Sequence, residues 1–188
     1  MNNKQLKKHL LLILCFVPIF IHAQTDKNMI IRLKPIKENF GRINSTTKWT
    51  KIVHKYICDK STEGGEINYY YLDDKLEKVI AAYYGETGKS ISEYYILNDT
   101  LSFVFEQEYE YNRPIYWNEE VAEENDDSEV FDLNKSHIFE TRNYFEKGKI
   151  IYQLPDDTCN IELKEKKLMG YFEEYLSLLN KENITQAK

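Results

Sequence analysis

The chain has 188 residues, of which 42% are hydrophobic, and its 25 basic and 31 acidic residues give a formal net charge of −6. This acidic balance argues against DNA, RNA or acidic lipid as the main ligand, because binding phosphates requires clustered lysine and arginine. The length suits one domain that can bury a hydrophobic core.

Residues 1–23 have the pattern of a secretory signal peptide. Three lysines precede an apolar run, Leu10–Ile21, and Ala23 supplies the small residue expected before a cleavage point. The run is too short to span a membrane. The sequence therefore predicts a secreted or periplasmic protein whose mature chain, residues 24–188, is a single domain without a membrane span. Removal of the three lysines would leave that chain with a net charge of −9.

Two cysteines, Cys58 and Cys159, belong to the predicted mature chain. In an oxidising compartment an even pair is often bridged, and this bridge would close a loop of about 100 residues, worth roughly 4 to 5 kcal/mol at most. The alternative is two small buried side chains without a covalent bond. The sequence leaves both possibilities open.

The first predicted element is a short helix from about Lys34 to Asn44. Three apolar residues fall on one helical face, namely Ile36, Phe40 and Ile43. Pro35 suits the first turn of such a helix. Alternation of apolar residues from Trp49 to Cys58 then predicts a first strand.

Three later segments repeat one hairpin pattern, an aromatic strand followed by a two-residue turn and a second apolar strand. The turns are Asp73-Asp74, Asn98-Asp99 and Lys147-Gly148. Such turns between alternating apolar residues are the strongest local signal of a β-hairpin. The repetition predicts an antiparallel meander.

A two-residue turn also predicts which residues face each other on the buried side of the sheet. At the central turn the predicted pairs are Ile96/Leu101, Tyr94/Phe103 and Ser92/Phe105. At the other turns they are Tyr71/Leu76, Ile67/Ile80 and Phe145/Ile150.

An acidic insert at about residues 118–137 separates the second and third hairpins. Seven of the twelve residues from Glu119 to Val130 are Asp or Glu. The spacing of an EF-hand calcium loop is absent. A flexible, solvated loop is the favoured interpretation.

The last predicted element is a helix from Asn160 to about Lys181. Its apolar stripe consists of Leu168, Phe172, Tyr175, Leu176 and Leu179. A sheet with one apolar face is the expected partner of this stripe. The predicted fold is therefore α+β, an antiparallel meander of repeated hairpins with a short N-terminal helix and a C-terminal helix packed on one face.

No pattern in the sequence favours a cofactor or a metal. The mature chain's two histidines, His54 and His137, lie outside any zinc-binding spacing, and glycine-rich nucleotide loops and the G-x-S-x-G motif are absent. Four glutamates near turns or sheet faces could pair to cut a glycan: Glu63, Glu66, Glu86 and Glu93. The alternative is a charged outer face that keeps the sheet soluble.

Tyrosine is concentrated in one stretch, because ten of the 15 tyrosines lie between Tyr69 and Tyr116. Tyr70 and Tyr95 fall opposite the buried pairs, and Tyr83 and Trp117 are further candidates for an exposed binding platform. Such rings combine apolar area with a polar group, which suits a glycan or an envelope protein. The alternatives are a second buried layer or high β-propensity alone.

Several segments carry a resemblance: Glu63–Glu66, Tyr84–Gly88, Glu93–Leu97, Leu101–Phe105, Tyr111–Pro114 and Arg142–Phe145. Together they resemble a group of small secreted Bacteroidota proteins of unknown function, which implies a fold but no active site. From the predicted sheet and helix, the outward tyrosines and the absence of a catalytic pattern, we expect a secreted or periplasmic, non-enzymatic binding protein. An envelope glycan hydrolase using paired carboxylates is the alternative.

Overall fold

The computed structural model describes residues 27–58, 61–157 and 159–185. The predicted signal peptide lies outside the described residues. The chain divides into two compact units, residues 1–38 and 39–188. The described part of the first unit is helical and belongs to α1, which spans residues 27–44.

The described residues after α1 form seven strands and two α-helices. The strands are β1 Lys51–Ile57, β2 Gly65–Leu72, β3 Lys75–Tyr84, β4 Gly88–Leu97, β5 Thr100–Glu110, β6 His137–Glu146 and β7 Lys149–Leu154. The helices are α2 Glu119–Glu124 and α3 Ile161–Thr185, and a short 3-10 helix spans Leu133–Lys135. All strands form one antiparallel sheet in sequence order, which confirms the predicted meander.

The N-terminal helix begins earlier than predicted. Residues 27–33 are already helical, so Pro35 lies inside α1 rather than in a first turn. The prediction missed this part because it placed Pro35 in the first turn. Four of the seven residues are in fact apolar, and Met29 and Leu33 continue the helical spacing of Ile36, Phe40 and Ile43. The first strand, β1, lies within the predicted range.

Within the described ranges, no helix has both the length and the apolar composition that a membrane crossing requires.

The three predicted two-residue turns are confirmed. Their six residues all have positive φ values, between 49° and 75°: Asp73, Asp74, Asn98, Asp99, Lys147 and Gly148. Two consecutive residues of this kind form the turn whose twist matches that of the flanking strands. Aspartate, asparagine and glycine tolerate this left-handed region, whereas lysine does so less readily.

A bulge follows each turn, and beyond the bulge the observed strand register differs from the predicted one. The third residue after each turn has no partner across the hairpin: Glu77, Ser102 and Ile151. The pairs next to the turns are as predicted, namely Tyr71/Leu76, Ile96/Leu101 and Phe145/Ile150. The pairs beyond the bulge are wrong by one residue, and the observed ones are Tyr94/Val104, Ser92/Glu106 and Ile67/Ala81. One extra residue in a strand reverses the face of every residue after it.

The two faces of the sheet are named after adjacent residues of β4, because neighbours on a strand point to opposite sides. On the Tyr94 face, six residues are fully buried: Ile67, Tyr69, Val79, Ala81, Tyr94 and Val104. They share one hydrophobic cluster with Leu168, Phe172 and Tyr175 of α3. The ring of Tyr94 lies 6.0 Å from that of Phe172 in a stacked arrangement, and the Tyr69 hydroxyl donates to Tyr175 O at 2.7 Å.

On the Tyr95 face, the end of α1 contacts β4 and β5. The ring of Phe40 lies 5.0 Å from the ring of Tyr95 and 5.3 Å from that of Phe103. The side-chain amide of Asn39 donates to Ile96 O at 2.9 Å. These contacts bury Tyr95, which is 1% exposed.

The acidic insert contains α2 and a two-point ion pair. The Asn118 side chain caps α2 by accepting from Val121 N at 2.9 Å. The Arg113 guanidinium holds both oxygens of Asp127, with Nε–Oδ2 at 2.5 Å and Nη2–Oδ1 at 3.0 Å. This pair joins the chain entering the insert to the segment that follows α2.

Cys58 and Cys159 are both free and exposed. The structure therefore does not support the disulfide, and the alternative of two buried side chains is wrong. Cys58 follows β1 at one edge of the sheet, while Cys159 follows β7 at the other. Six strand spacings amount to about 29 Å, far beyond the reach of a disulfide.

Candidate functional site

Polar and aromatic side chains of β1, β2 and β3 gather on the Tyr95 face. The register places His54 opposite Asn68 and Tyr56 opposite Glu66, and Tyr70 follows Asn68 on the same face of β2. Tyr84 of β3 completes the group through its contact with Glu66. We call this set the tyrosine surface, and its residues are His54, Tyr56, Glu66, Asn68, Tyr70 and Tyr84.

Glu66 connects two members of the surface. Its Oε1 accepts a hydrogen bond from the Tyr84 hydroxyl at 2.7 Å, and its Oε2 lies 3.6 Å from His54 Nε2. The other ring nitrogen of His54, Nδ1, lies 2.7 Å from Asn68 Oδ1. Each side chain is thus held by a neighbour on the next strand, so the group is ordered before any ligand arrives.

The contact with Glu66 affects the pKa of Tyr84. Burial raises the pKa of its phenol to about 12, and the hydrogen bond to Glu66 and the charge of that carboxylate add to the increase. The neutral phenol is therefore favoured throughout the physiological range, and Tyr84 acts as a fixed hydrogen-bond donor.

Tyr70 lies at the middle of a second set of contacts. Lys78 Nζ is 5.3 Å from the centroid of the Tyr70 ring and 5.4 Å from that of Tyr95, within cation–π range. The same ammonium lies 3.4 Å from Glu93 Oε2. Burial raises the pKa of the Tyr70 phenol, and the charges of Glu93 and Glu66 raise it further. The charges of two carboxylates therefore favour the neutral form of the Tyr70 phenol.

The surface opens to solvent toward the sheet edge formed by β1. Tyr56 is 79% exposed, and its ring lies 4.3 Å from that of His54 in an edge-on arrangement. Tyr70 and Tyr84 are half-buried by comparison. The exposed rings and the fixed polar groups can together receive a ligand that has both an apolar face and hydroxyl or amide groups.

The predicted binding residues divide between the two faces. Tyr70 and Tyr95 share one face, but the expected exposure of Tyr95 is wrong because Phe40 covers it. Tyr83 belongs to the Tyr94 face, since its hydroxyl lies 3.1 Å from that of Tyr175. Trp117 lies in the loop between β5 and α2. Only Tyr70 therefore belongs to the tyrosine surface.

Of the four candidate glutamates, Glu66 and Glu93 are half-buried on the Tyr95 face, whereas Glu63 and Glu86 are exposed. Glu93 accepts a hydrogen bond from the Tyr95 hydroxyl at 2.5 Å. The strands that carry Glu66 and Glu93, β2 and β4, are separated by one strand, and the register offsets the two residues by two positions along the strands, so their backbones lie about 11–12 Å apart.

In the part of the chain that the structure describes, no three His, Cys, Asp or Glu side chains are placed to hold a metal ion.

Sequence reasoning missed four members of the surface: His54, Tyr56, Asn68 and Tyr84. Their meeting depends on how β1 pairs with β2, and no two-residue turn joins these strands. The alternation of His54 and Tyr56 in β1, and of Glu66 and Asn68 in β2, was the available signal. Without the register it did not reveal that these rows are adjacent.

No protein-family model, curated protein or solved structure matches the chain.

Proposed function

We propose that this chain is a secreted or periplasmic, non-enzymatic binding protein, and that the tyrosine surface receives its ligand. The observation that carries the proposal is the ordered contact set around Glu66 and Tyr70, on a sheet face that stays partly open. A buried structural layer would need neither the exposed ring of Tyr56 nor the polar contacts among His54, Asn68 and Glu66.

An envelope glycan fits the chemistry of this surface better than an envelope protein. Sugar rings present an apolar C–H face that stacks on tyrosine, and their hydroxyls both donate and accept hydrogen bonds. Glu66, Asn68 and the Tyr84 hydroxyl offer acceptor oxygens to the hydroxyls of a sugar, because the single Tyr84 proton is already donated to Glu66. The formal net charge of −6 also favours a neutral or basic ligand over an acidic one.

The proposal assigns a different role to each face of the sheet. The packing of α3 on the Tyr94 face would complete the hydrophobic core, leaving the other side of β1 to β3 for binding. The stacking of Phe172 on Tyr94 and the hydrogen bond from Tyr69 to Tyr175 O support this arrangement.

A microarray of bacterial envelope glycans tests the proposal. The wild-type protein is expected to bind a subset of glycans, and Tyr70→Ala is expected to lose that binding while keeping the same circular dichroism spectrum. Tyr116→Ala is the control, because it also removes a tyrosine ring but from an exposed position, at 54%, outside the surface. Binding that survives Tyr70→Ala, or the absence of binding to any glycan, would reject a glycan-binding tyrosine surface.

Glycan hydrolysis is the second candidate, because Glu66 and Glu93 share a face and both act on Tyr70. An inverting glycosidase places its two carboxyl groups roughly 6.5–9.5 Å apart. Release of reducing ends from a bound glycan, lost in both Glu66→Gln and Glu93→Gln, would replace the binding proposal with this one. Glycan binding without hydrolysis would reject this second candidate function.

A further inference from the structure

A groove lies on the opposite side of the sheet from the tyrosine surface, between the ends of β6 and β7 and the first turns of α3. It has a volume of about 240 Å³, and its lining includes Gln153, Leu163, Lys164 and Lys167. The volume suits a ligand of about two amino acids. None of these residues belongs to the tyrosine surface, so the groove is independent of the function proposed above.

Gln153 is the buried polar group of this groove. It is 7% exposed, and its side-chain oxygen is buried without a hydrogen-bond partner in the described part of the chain. An unpartnered buried polar group costs about 1–3 kcal/mol. Its cross-strand neighbour, Asn143, also has a buried side-chain oxygen without a partner among the described residues. A ligand that carries an N–H group can donate to the Gln153 oxygen.

The polar rim of the groove contains two lysines with different environments. Lys164 Nζ lies 2.7 Å from Glu106 Oε2, so its charge is already compensated. Lys167 is exposed, and its described contact is with the ring of Tyr171, 5.8 Å away, rather than with an acid. One cation is therefore available to an incoming carboxylate.

Of the remaining lining residues, Leu163 and Pro155 are apolar, whereas Thr141, Asp157 and Asn160 are polar. Leu163 is 70% exposed at the start of α3, and Pro155 lies at the end of β7 on the other side of the groove. An apolar side chain placed between them would cover surface that is now open to water.

From these features we propose that the groove binds the C-terminal end of a peptide whose last residue is apolar. The terminal carboxylate pairs with Lys167, the last peptide group hydrogen-bonds to Gln153, and the final side chain packs against Leu163 and Pro155. Capture of a C-terminal carboxylate by positioned donors is a recurrent mode of peptide recognition.

The test uses the full chain and two probes, acetyl-Ala-Leu with a free carboxylate and the same dipeptide with a C-terminal amide. Chemical shifts of the Gln153 side-chain amide and the Leu163 backbone amide report binding in the groove. We expect the free acid to shift both signals and the carboxamide to bind about ten-fold more weakly, because it lacks the charge that Lys167 recognises.

Lys167→Gln is expected to weaken binding of the free acid about ten-fold and to leave binding of the carboxamide unchanged. Lys166→Gln is the matched control, since it removes the same charge from a neighbouring exposed position of α3 that does not line the groove. Equal binding of both probes, equal effects of both variants, or absence of shifts at Gln153 and Leu163 would overturn the proposal.

Discussion

The side-chain amide of Asn39 donates to the main-chain oxygen of Ile96 at 2.9 Å, at the step where a bulge interrupts the ladder between β4 and β5. The bulged residue, Ser102, contributes a similar contact, since its hydroxyl donates to Tyr95 O at 2.9 Å. Two side chains therefore hydrogen-bond to main-chain oxygens beside the bulge. Asn39 is 4% exposed, so water does not easily replace it.

The first prediction concerns this contact. Asn39→Leu should lower the free energy of unfolding by about 1–3 kcal/mol, because it leaves the Ile96 carbonyl buried without a donor. Urea unfolding followed by circular dichroism measures the change. Lys37→Leu, at an exposed position of the same helix, should have little effect. Equal losses in the two variants would show that the hydrogen bond to Ile96 contributes nothing specific.

The second prediction concerns the third hairpin turn. Lys147 has a φ of 52°, a region that asparagine tolerates better than lysine. Lys147→Asn should therefore raise the free energy of unfolding by about 0.5–1 kcal/mol. Lys75→Asn, at an exposed position just after the first turn, should give no gain, because Lys75 has no positive φ. Thermal unfolding measures the stability of both variants. A gain in stability in both would show that the loss of a lysine charge, rather than the backbone conformation at Lys147, is the cause.

The third prediction concerns the acidic insert, which the sequence predicts to be flexible. The hydrogen bond from Arg113 holds the pKa of the Asp127 carboxyl at about 2, well below its usual range. Asp127→Asn should speed hydrogen exchange at the Phe131 amide, which donates to Trp117 O at 2.8 Å. Asp126→Asn removes the same charge from the adjacent position and should leave that exchange unchanged.

The same ion pair sets a pH dependence. Because folding lowers the pKa of Asp127, its stabilising contribution is present above the ordinary carboxyl value of 3.8 and is lost as pH falls through about 2. Protection of the Phe131 amide should follow this course in the wild type and should be weak at every pH in Asp127→Asn. A protection profile shared by both proteins would contradict a structural role for the pair.

The fourth prediction concerns Tyr84. Its raised pKa means that its contribution to stability is complete below the ordinary phenol value of 10 and is lost as pH rises through about 12. Glu66→Gln should move the midpoint toward 10 without reaching it, because burial remains the main cause. The ¹³Cζ chemical shift of Tyr84 during an alkaline titration measures the midpoint. Glu63→Gln, which removes a nearby exposed charge, should leave it near 12.

The turns could be predicted because their signal is local. Asp73-Asp74, Asn98-Asp99 and Lys147-Gly148 each stand between alternating apolar residues, and each pair lies in the left-handed region. The bulges could not be predicted in the same way. Glu77, Ser102 and Ile151 share a position but no chemical property, so alternation alone gave the wrong face for Phe103.

The candidate site was harder to predict because it depends on contacts distant in sequence. Alternation correctly placed Tyr70 and Tyr95 on one face, but the burial of Tyr95 depends on Phe40, which lies 55 positions earlier in the sequence. Tyr83 was assigned to the wrong face, and its contact with Tyr175 lies 92 positions away. Periodicity shows which residues share a face of one strand, but it does not show which helix covers that face.

The most direct test of the binding proposal is the affinity of the strongest array glycan for three proteins, measured by isothermal titration calorimetry. The account predicts that Tyr70→Ala weakens binding about ten-fold or more, because it removes a central aromatic contact, while Tyr116→Ala binds as the wild type does. Equal affinities of the wild type and Tyr70→Ala would contradict a ligand site on the tyrosine surface.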